Sequence, residues 1–278
     1  MAVHAHPDDE SSKGAATLAR YAAEGADVLV CTLTGGERGS VLNPALDRPE
    51  ITADLPAVRR REMDAARAAL GVRQHFLGFV DSGFPGPGEP LPPGCFVLEP
   101  PAVPVARLVA ELRAFRPHAL VTYDPNGSYP HPDHIRTHEV AMAAFDAAAD
   151  PAYGDGAPWA VPKLYYTRAL SREWYAAIDA AMTAAGLRSG MAEILADLPD
   201  VPSPWPVTTR VDCAAWFPAR RAALLAHATQ VAATDYNVTC PVELEQATWP
   251  TEDYHLARAR GPVTLPELDL FAGVPPAP

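Results

Sequence analysis

The sequence predicts an α/β fold, a Rossmann-like and mainly parallel sheet flanked by helices. Apolar runs of strand length recur at residues 2–5, 27–33, 74–80 and 118–123. Stretches with helical spacing alternate with them, as successive β-α-β units require. The runs are near-continuous rather than alternating in polarity, as expected of parallel strands covered on both faces.

The opening strand is short, with Ala2, Val3 and Ala5 as its buried residues. Residues 11–25 carry Leu18 and Tyr21 at helical spacing and stop at Gly25, a good helix terminator. The second strand runs into a Gly-rich stretch at 34–39 that lacks both the dinucleotide fingerprint and the Walker spacing. That stretch reads as a mobile loop at the edge of a site. Residues 40–55 are Pro-rich and read as irregular. A helix spans 57–70, with Arg59, Arg60, Arg61 and Glu62 near its start and Met63, Ala66, Ala69 and Leu70 inside. The third strand ends at Asp81. Residues 83–104, dense in proline and glycine, form a long loop of the kind that serves as a lid. A helix at 103–115, the strand at 118–123, a turn at 124–127, a helix at 135–149 and a strand at 162–168 follow. From Ser171 the texture changes to helices at 171–185 and 191–198, a Pro-rich turn, an edge strand at 207–211 and a helix at 214–230. The expected organisation is an α/β metal-binding core at 1–170 and a C-terminal cap at 171–278 completing the substrate pocket.

Composition narrows the function. The 278 residues carry a net charge of −12 and 48% hydrophobic residues. Binding to phosphate backbones needs clustered Lys and Arg, so nucleic acid is excluded as a partner. No apolar run approaches the roughly 18 residues of a membrane span. Met1 lies almost against the first motif, so no signal peptide is expected. Cys31, Cys95, Cys213 and Cys240 are scattered without Cys-x-x-Cys spacing. A reducing, cytoplasmic location is the expectation.

Two motifs carry chemistry. His6, Asp8, Asp9 and Glu10 crowd together just past the first strand, where open α/β sheets bind ligands. One imidazole and two adjacent carboxylates offer N and O ligands for a metal with a carboxylate to spare. Alone, this acidic run is equally a helix start favoured by the helix dipole. The second motif, Tyr129-Pro-His131-Pro-Asp133-His134, follows the strand at 118–123. Histidines three apart at a helix start share a face, and Asp133 is placed to orient an imidazole. Together the motifs complete three protein ligands plus an open position, the pattern of a catalytic metal rather than a structural one.

Paired in this way, His6-Pro-Asp-Asp-Glu10 and His131-Pro-Asp-His134 resemble the LmbE-like (PIG-L) superfamily of zinc-dependent deacetylases. The resemblance runs through most of the chain and narrows to the mycothiol branch. Residues 4–17, 33–39, 78–83 and 227–230 (which include His227 and Gln230) look more like the amidase than the deacetylase side of that branch. It implies His6, Asp9 and His134 as ligands of Zn²⁺; N/O ligation suits Fe²⁺ as well. Asp8, beside the ligand carboxylate, is the expected general base for water activated by the metal. Protonated His131 is expected to stabilise the oxyanion or donate to the leaving nitrogen, and Tyr129 to help polarise the carbonyl. The resemblance further implies that Arg59 and Asp81 contact the sugar. Lys13, early in the first helix, is the amidase-like feature, with its ammonium reaching the pocket mouth. The expected activity is hydrolysis of the amide in mycothiol S-conjugates, a small pseudodisaccharide thiol conjugate, to glucosaminyl-inositol and an N-acetylcysteine S-conjugate. The alternatives are deacetylation of N-acetylglucosaminyl-inositol, or a related amide hydrolysis in natural-product biosynthesis. No Gly-x-Ser-x-Gly elbow supports a serine nucleophile.

Overall fold

A computed structural model describes residues 1–275 apart from Pro87, Pro199 and Pro202. Those three, in the expected loop and Pro-rich turn, and residues 276–278 of the expected cap lie outside the described residues. The strands are β1 (Ala2–His4), β2 (Leu29–Thr34), β3 (Arg73–Phe79), β4 (Ala119–Thr122), β5 (Lys163–Thr167), β6 (Thr209–Asp212) and β7 (Thr251–Ala259). They form one sheet in the order β3-β2-β1-β4-β5-β7-β6. The first five are parallel; β7 runs antiparallel to both β5 and β6. The fold is thus α/β with a mainly parallel, Rossmann-like sheet.

Helices α1 (Asp9–Ser12), α2 (Ala15–Ala23), α3 (Pro49–Thr52), α4 (Leu55–Leu70), α5 (Ala102–Phe115) and α6 (Pro132–Ala149) belong to the first half. The second half adds α7 (Arg172–Ala184), α8 (Met191–Asp197), α9 (Phe217–Ala226), α10 (Tyr236–Thr239) and α11 (Val242–Thr248). Register explains the two cores. Ala2 pairs with Val30, and both face the layer of α2, α4 and α9 with Leu18, Met63, Leu70 and Ala223. Val3 and Cys31, one residue on, face α5 and α6 with Leu108, Leu112, Val140 and Phe145. Successive strand side chains point to opposite faces. Every residue of β1, β2, β4 and β5 is therefore buried, and this is why those strands read as continuous apolar runs.

Several elements differ from expectation for identifiable reasons. The helix expected over 11–25 is split into α1 and α2 at Lys13–Gly14. Gly14 has φ 112°, and a β-carbon there would stand 3.0 Å from the Tyr254 hydroxyl. The stretch at 40–55 contains the one-turn α3. Helix α6 starts three residues early because Pro132 occupies its first turn, where a missing N–H costs nothing. The helix expected over 214–230 is a 3₁₀ turn at Ala214–Trp216 followed by α9, and His227–Gln230 lie beyond its end. Strand β7 has no counterpart among the expected elements. Its Glu252 carboxylate accepts the N–H groups of Ala16 (3.1 Å) and Thr17 (2.8 Å), capping α2 from the far end of the sequence. The sheet therefore runs through the division placed at residue 170. What stands apart from the sheet is the cluster of Tyr175, Ile178, Met182, Met191 and Cys240. Among the described residues, no helix is long and apolar enough to cross a membrane.

Candidate functional site

Strands β1 and β4 are neighbours, and the chain order runs outward in opposite directions from them. Ligand sites of open α/β sheets form at such a reversal, beyond the carboxyl ends of the strands. Both sequence motifs arrive there. After β4, the Asp124 carboxylate accepts from Asn126 N (2.8 Å) and Ser128 N (3.3 Å), turning the chain back on itself. Gly127 (φ 72°) lies so close to α6 that a β-carbon would meet the His134 β-carbon at 2.6 Å. The Gly127 carbonyl accepts from His134 Nδ1 at 2.9 Å. That bond fixes the tautomer and leaves a lone pair on Nε2. The Nε2 atom is buried and has no hydrogen-bond partner.

Asp9 sits in the first turn of α1. Its Oδ2 lies 3.5 Å from His6 Nδ1 and 3.4 Å from His134 Nε2. Tetrahedral ligands at 2.0–2.1 Å from a metal stand about 3.3–3.4 Å apart, and both distances to Asp9 are of that size. The same oxygen accepts from His6 N (2.9 Å) and Tyr123 Oη (2.7 Å). Lys13 Nζ donates to Asp9 Oδ1 at 2.7 Å. The other His6 nitrogen, Nε2, lies 3.2 Å from Asp133 Oδ2 and 3.6 Å from Asp81 Oδ1. Two donor sets have atoms that all lie within 4.8 Å of one another, His6 with His131 and His134, and His6 with Asp81 and Asp133; Asp9 belongs to neither. Carboxylates behind a ligating imidazole orient the ring and raise its basicity. Burial opposes charge on both His6 and Asp9. Their mutual contacts prevail, with Asp133 and Asp81 raising His6 and with His134 and Lys13 depressing Asp9.

Asp8 occupies a left-handed backbone (φ 115°) and turns away from Asp9. Its Oδ2 pairs with Arg59 at 2.7 Å, and its side chain keeps 26% exposure. Burial and the Asp9 charge lift its pKa, and Arg59 pulls against them. Arg59 itself is 3% exposed and also donates to Gly36 O (2.9 Å) and Pro7 O. It therefore lies under the loops instead of on the pocket wall. Asp81 is also enclosed, accepting from Arg38 N and Gly83 N. Arg59 and Asp81 thus tie down the 34–39 loop that the sequence marks as mobile. Lys13 is buried against Asp9, and its ammonium does not stand at the mouth.

His131 caps α6 through Nδ1, which accepts from Asp133 N at 3.1 Å. Burial and the neighbouring His6 and His134 bring its pKa down to about 3. The ring is therefore neutral at pH 7, contrary to the protonated state expected above, and carries its proton on Nε2. Phe84 stacks face to face on it (5.1 Å, 11°) while remaining 65% exposed. Tyr129 leans edge-on against His134 (4.6 Å) and is also exposed.

Sequence reasoning missed several participants. Tyr123 ends an apolar run and reads as core; it stacks flat on His134 at 4.4 Å. Glu10 accepts from buried His227 at 2.8 Å across 217 residues. Burial opposes that carboxylate, but the His227 contact brings it to about 2. In the sequence His227 stands out only as part of the amidase-like stretch 227–230, without a partner or a role. Phe84 has no signal beyond its loop.

A cavity of about 480 Å³ opens over these groups, with Asp8, Asp9, Lys13 and Tyr129 on one side and Leu170, Tyr175, Ile194 and Tyr236 on the other. Four non-glycine residues have positive φ among the described residues: Asp8, Arg116, Ser128 and Leu170. Asp8, Ser128 and Leu170 all line this cavity. Backbone strain of this kind concentrates at functional sites.

Residues 1–145 match the family model described as PIG-L, GlcNAc-PI de-N-acetylase. The chain is 48% identical to a mycothiol S-conjugate amidase of Streptomyces coelicolor, covering 99% of this chain and 96% of the relative. It is 44% identical to a 1D-myo-inositol 2-acetamido-2-deoxy-alpha-D-glucopyranoside deacetylase of Streptomyces griseus, covering 100% and 89%. In fold it is similar to the conserved protein TT1542 from Thermus thermophilus, with a TM-score of 0.59 at 23% identity over 94% and 95% of the two chains.

Proposed function

We propose a function from one premise: this chain belongs to the PIG-L (LmbE-like) family of GlcNAc-PI de-N-acetylases. It is a metal-dependent hydrolase of linear amides. Its substrates are mycothiol S-conjugates, cleaved to glucosaminyl-inositol and an N-acetylcysteine S-conjugate. One observation carries this reading, the 48% identity to the amidase of Streptomyces coelicolor over nearly the whole of both chains.

His6 Nδ1, Asp9 Oδ2 and His134 Nε2 would hold the metal, because His6 Nε2 is engaged by Asp133 and Asp81 while the lone pair of His134 faces Asp9. A Zn²⁺ or Fe²⁺ ion there supplies Lewis acidity toward the scissile carbonyl and toward a water molecule. Asp8 takes the proton from the attacking water and returns it to the leaving amine. Its pairing with Arg59 holds one oxygen still and leaves the other for the proton. Neutral His131 donates Nε2–H to the oxygen that gains charge, a role that needs a fixed donor and no net positive charge. Tyr129, on the cavity rim, donates its hydroxyl to the same oxygen. Lys13 fixes the second oxygen of Asp9. Arg59 acts through Asp8, and Asp81 acts through His6.

The test is cleavage of a fluorescent mycothiol S-conjugate by purified protein, with and without a chelator. Release of the N-acetylcysteine conjugate, lost on chelation and restored by Zn²⁺ or Fe²⁺, is expected. The 44% identity to the deacetylase of Streptomyces griseus favours a second reading. Faster turnover of N-acetylglucosaminyl-inositol than of the conjugate would select it.

A further inference from the structure

Asp8 holds a backbone conformation that its residue type disfavours. Its φ of 115° lies in the left-handed region, where glycine fits and a β-carbon does not. Two clamps act on the peptide unit between Pro7 and Asp8. Arg59 donates to its oxygen, and the Glu10 carboxylate accepts its N–H, with Asp8 N at 3.0 Å from Oε2. Held at both ends, this peptide keeps Asp8 in its strained state. Arg59 also reaches Asp8 Oδ2 at 2.7 Å. Both clamps lead back to one short turn after α9. Glu10 Oε1 accepts from His227 Nε2 at 2.8 Å, and both side chains are fully buried. Arg59 stands on α4, with Glu62 one turn further along. The Glu62 carboxylate accepts from Thr229, Oε1 from N and Oε2 from Oγ1, each at 2.7 Å. The other ring nitrogen of His227, Nδ1, is buried without a hydrogen-bond partner. Glu10 is therefore what the imidazole serves.

We propose that His227 is a positioning residue for the general base: through Glu10 it keeps Asp8 turned into the cavity and away from Asp9. The inference rests on the assignment of Asp8 as base made above. His227 is enclosed and touches no substrate, so it acts only through the residues it holds. A buried carboxylate without its donor pays a desolvation penalty and seeks another partner. Glu10 would then release Asp8 N, and the strained peptide would relax. The carboxylate of Asp8 would leave the position from which it takes the proton. Asp9 has its own anchors, Tyr123, Lys13 and the N–H of His6. The metal site is thus expected to survive a change that disables the base.

The experiment is a double-mutant cycle between His227→Met and Asp8→Asn. It measures kcat, KM and bound metal, on whichever of the mycothiol conjugate and N-acetylglucosaminyl-inositol wild type cleaves faster. A misplacement of about 1 Å caused from outside the chemistry costs about 10²-fold. His227→Met should lower kcat by about that factor, with KM and metal content near those of wild type. His227→Gln, whose amide nitrogen can stand where Nε2 stands, should recover most of the loss. In the Asp8→Asn background His227→Met should cost little more, because residues that act as a unit lose their joint contribution once. His227→Asn, whose amide falls short of Glu10, takes the place of His227→Met in the cycle where methionine prevents folding. The same loss in both backgrounds, an unchanged kcat, or an emptied metal site overturns the proposal and leaves His227 a packing residue or a support of the metal. Wild-type turnover in Asp8→Asn alone overturns the assignment of the base instead, and this inference with it.

Discussion

The two walls of the catalytic cavity are built on different principles. On the strand-end wall polar atoms are held by directional bonds, several of them from partners remote in sequence. Tyr123 holds Asp9, Asp133 holds His6 and His227 holds Glu10, across 114, 127 and 217 residues. On the helical wall, Leu170, Tyr175, Ile194 and Tyr236 pack in a cluster of their own, in which the Tyr175 hydroxyl donates to that of Tyr236. Directional bonds fail over fractions of an ångström, and catalytic groups need that stringency. Apolar contacts are graded and tolerate changes of shape. Substitutions on the first wall should therefore cost every substrate alike. Those on the second should favour one substrate over another.

The largest effect tests the strand-end wall directly. His134→Ala should lose most bound metal, read by elemental analysis, and more activity than the 10–100-fold that a ligand's supporting partner is worth. Full metal occupancy in that variant would remove His134 from the ligand set. Next comes Asp8→Asn, which keeps the shape of the side chain and loses the proton acceptor. A fall in kcat of about 10²–10⁴ is expected on both the conjugate and the simple sugar, with metal content near that of wild type. If Asp8→Asn empties the site while Asp9→Asn keeps it filled, the two carboxylates have exchanged roles.

Lys13 is the sharpest way to break the comparison. As a reader of the cysteinyl half, it would be worth more on the conjugate than on the sugar. Buried against Asp9, it belongs to the strand-end wall, so Lys13→Met should lower kcat/KM on both substrates by the same factor. The smallest effect concerns Phe84, whose stacking on His131 should be worth about 0.5–1.5 kcal/mol. Phe84→Ala should lower kcat by roughly 2- to 12-fold and leave metal content alone.

The same contrast explains what was legible in the sequence. Strands β1, β2 and β4 announce themselves because both faces are buried, and the two motifs stand at strand ends where ligands belong. The three positions proposed as metal ligands lie in those motifs, and the family resemblance implies which residues they are. What escaped is polar structure satisfied at a distance. Arg59, Arg60 and Arg61 look alike on a helix, yet Arg59 is enclosed by Pro7, Asp8 and Gly36. Glu252 and Asp253 make β7 look solvated, although Glu252 caps α2 and Thr251 donates to Asp253. The neutral state of His131 depends on its burial and then on two neighbouring imidazoles, one of them brought from the other motif.

The placement of β7 also governs how the chain reaches this structure. The sheet order requires residues 251–259 to insert between β5 and β6, both made earlier. Until then β5 presents an open row of backbone donors and acceptors, the kind of edge on which chains pair with one another. The N-terminus of α2 likewise waits for Glu252 across 235 residues. Contacts of such long sequence separation form slowly. Strands β1 to β5 lie within the first 170 residues, but β5 keeps an open edge until the final strand arrives.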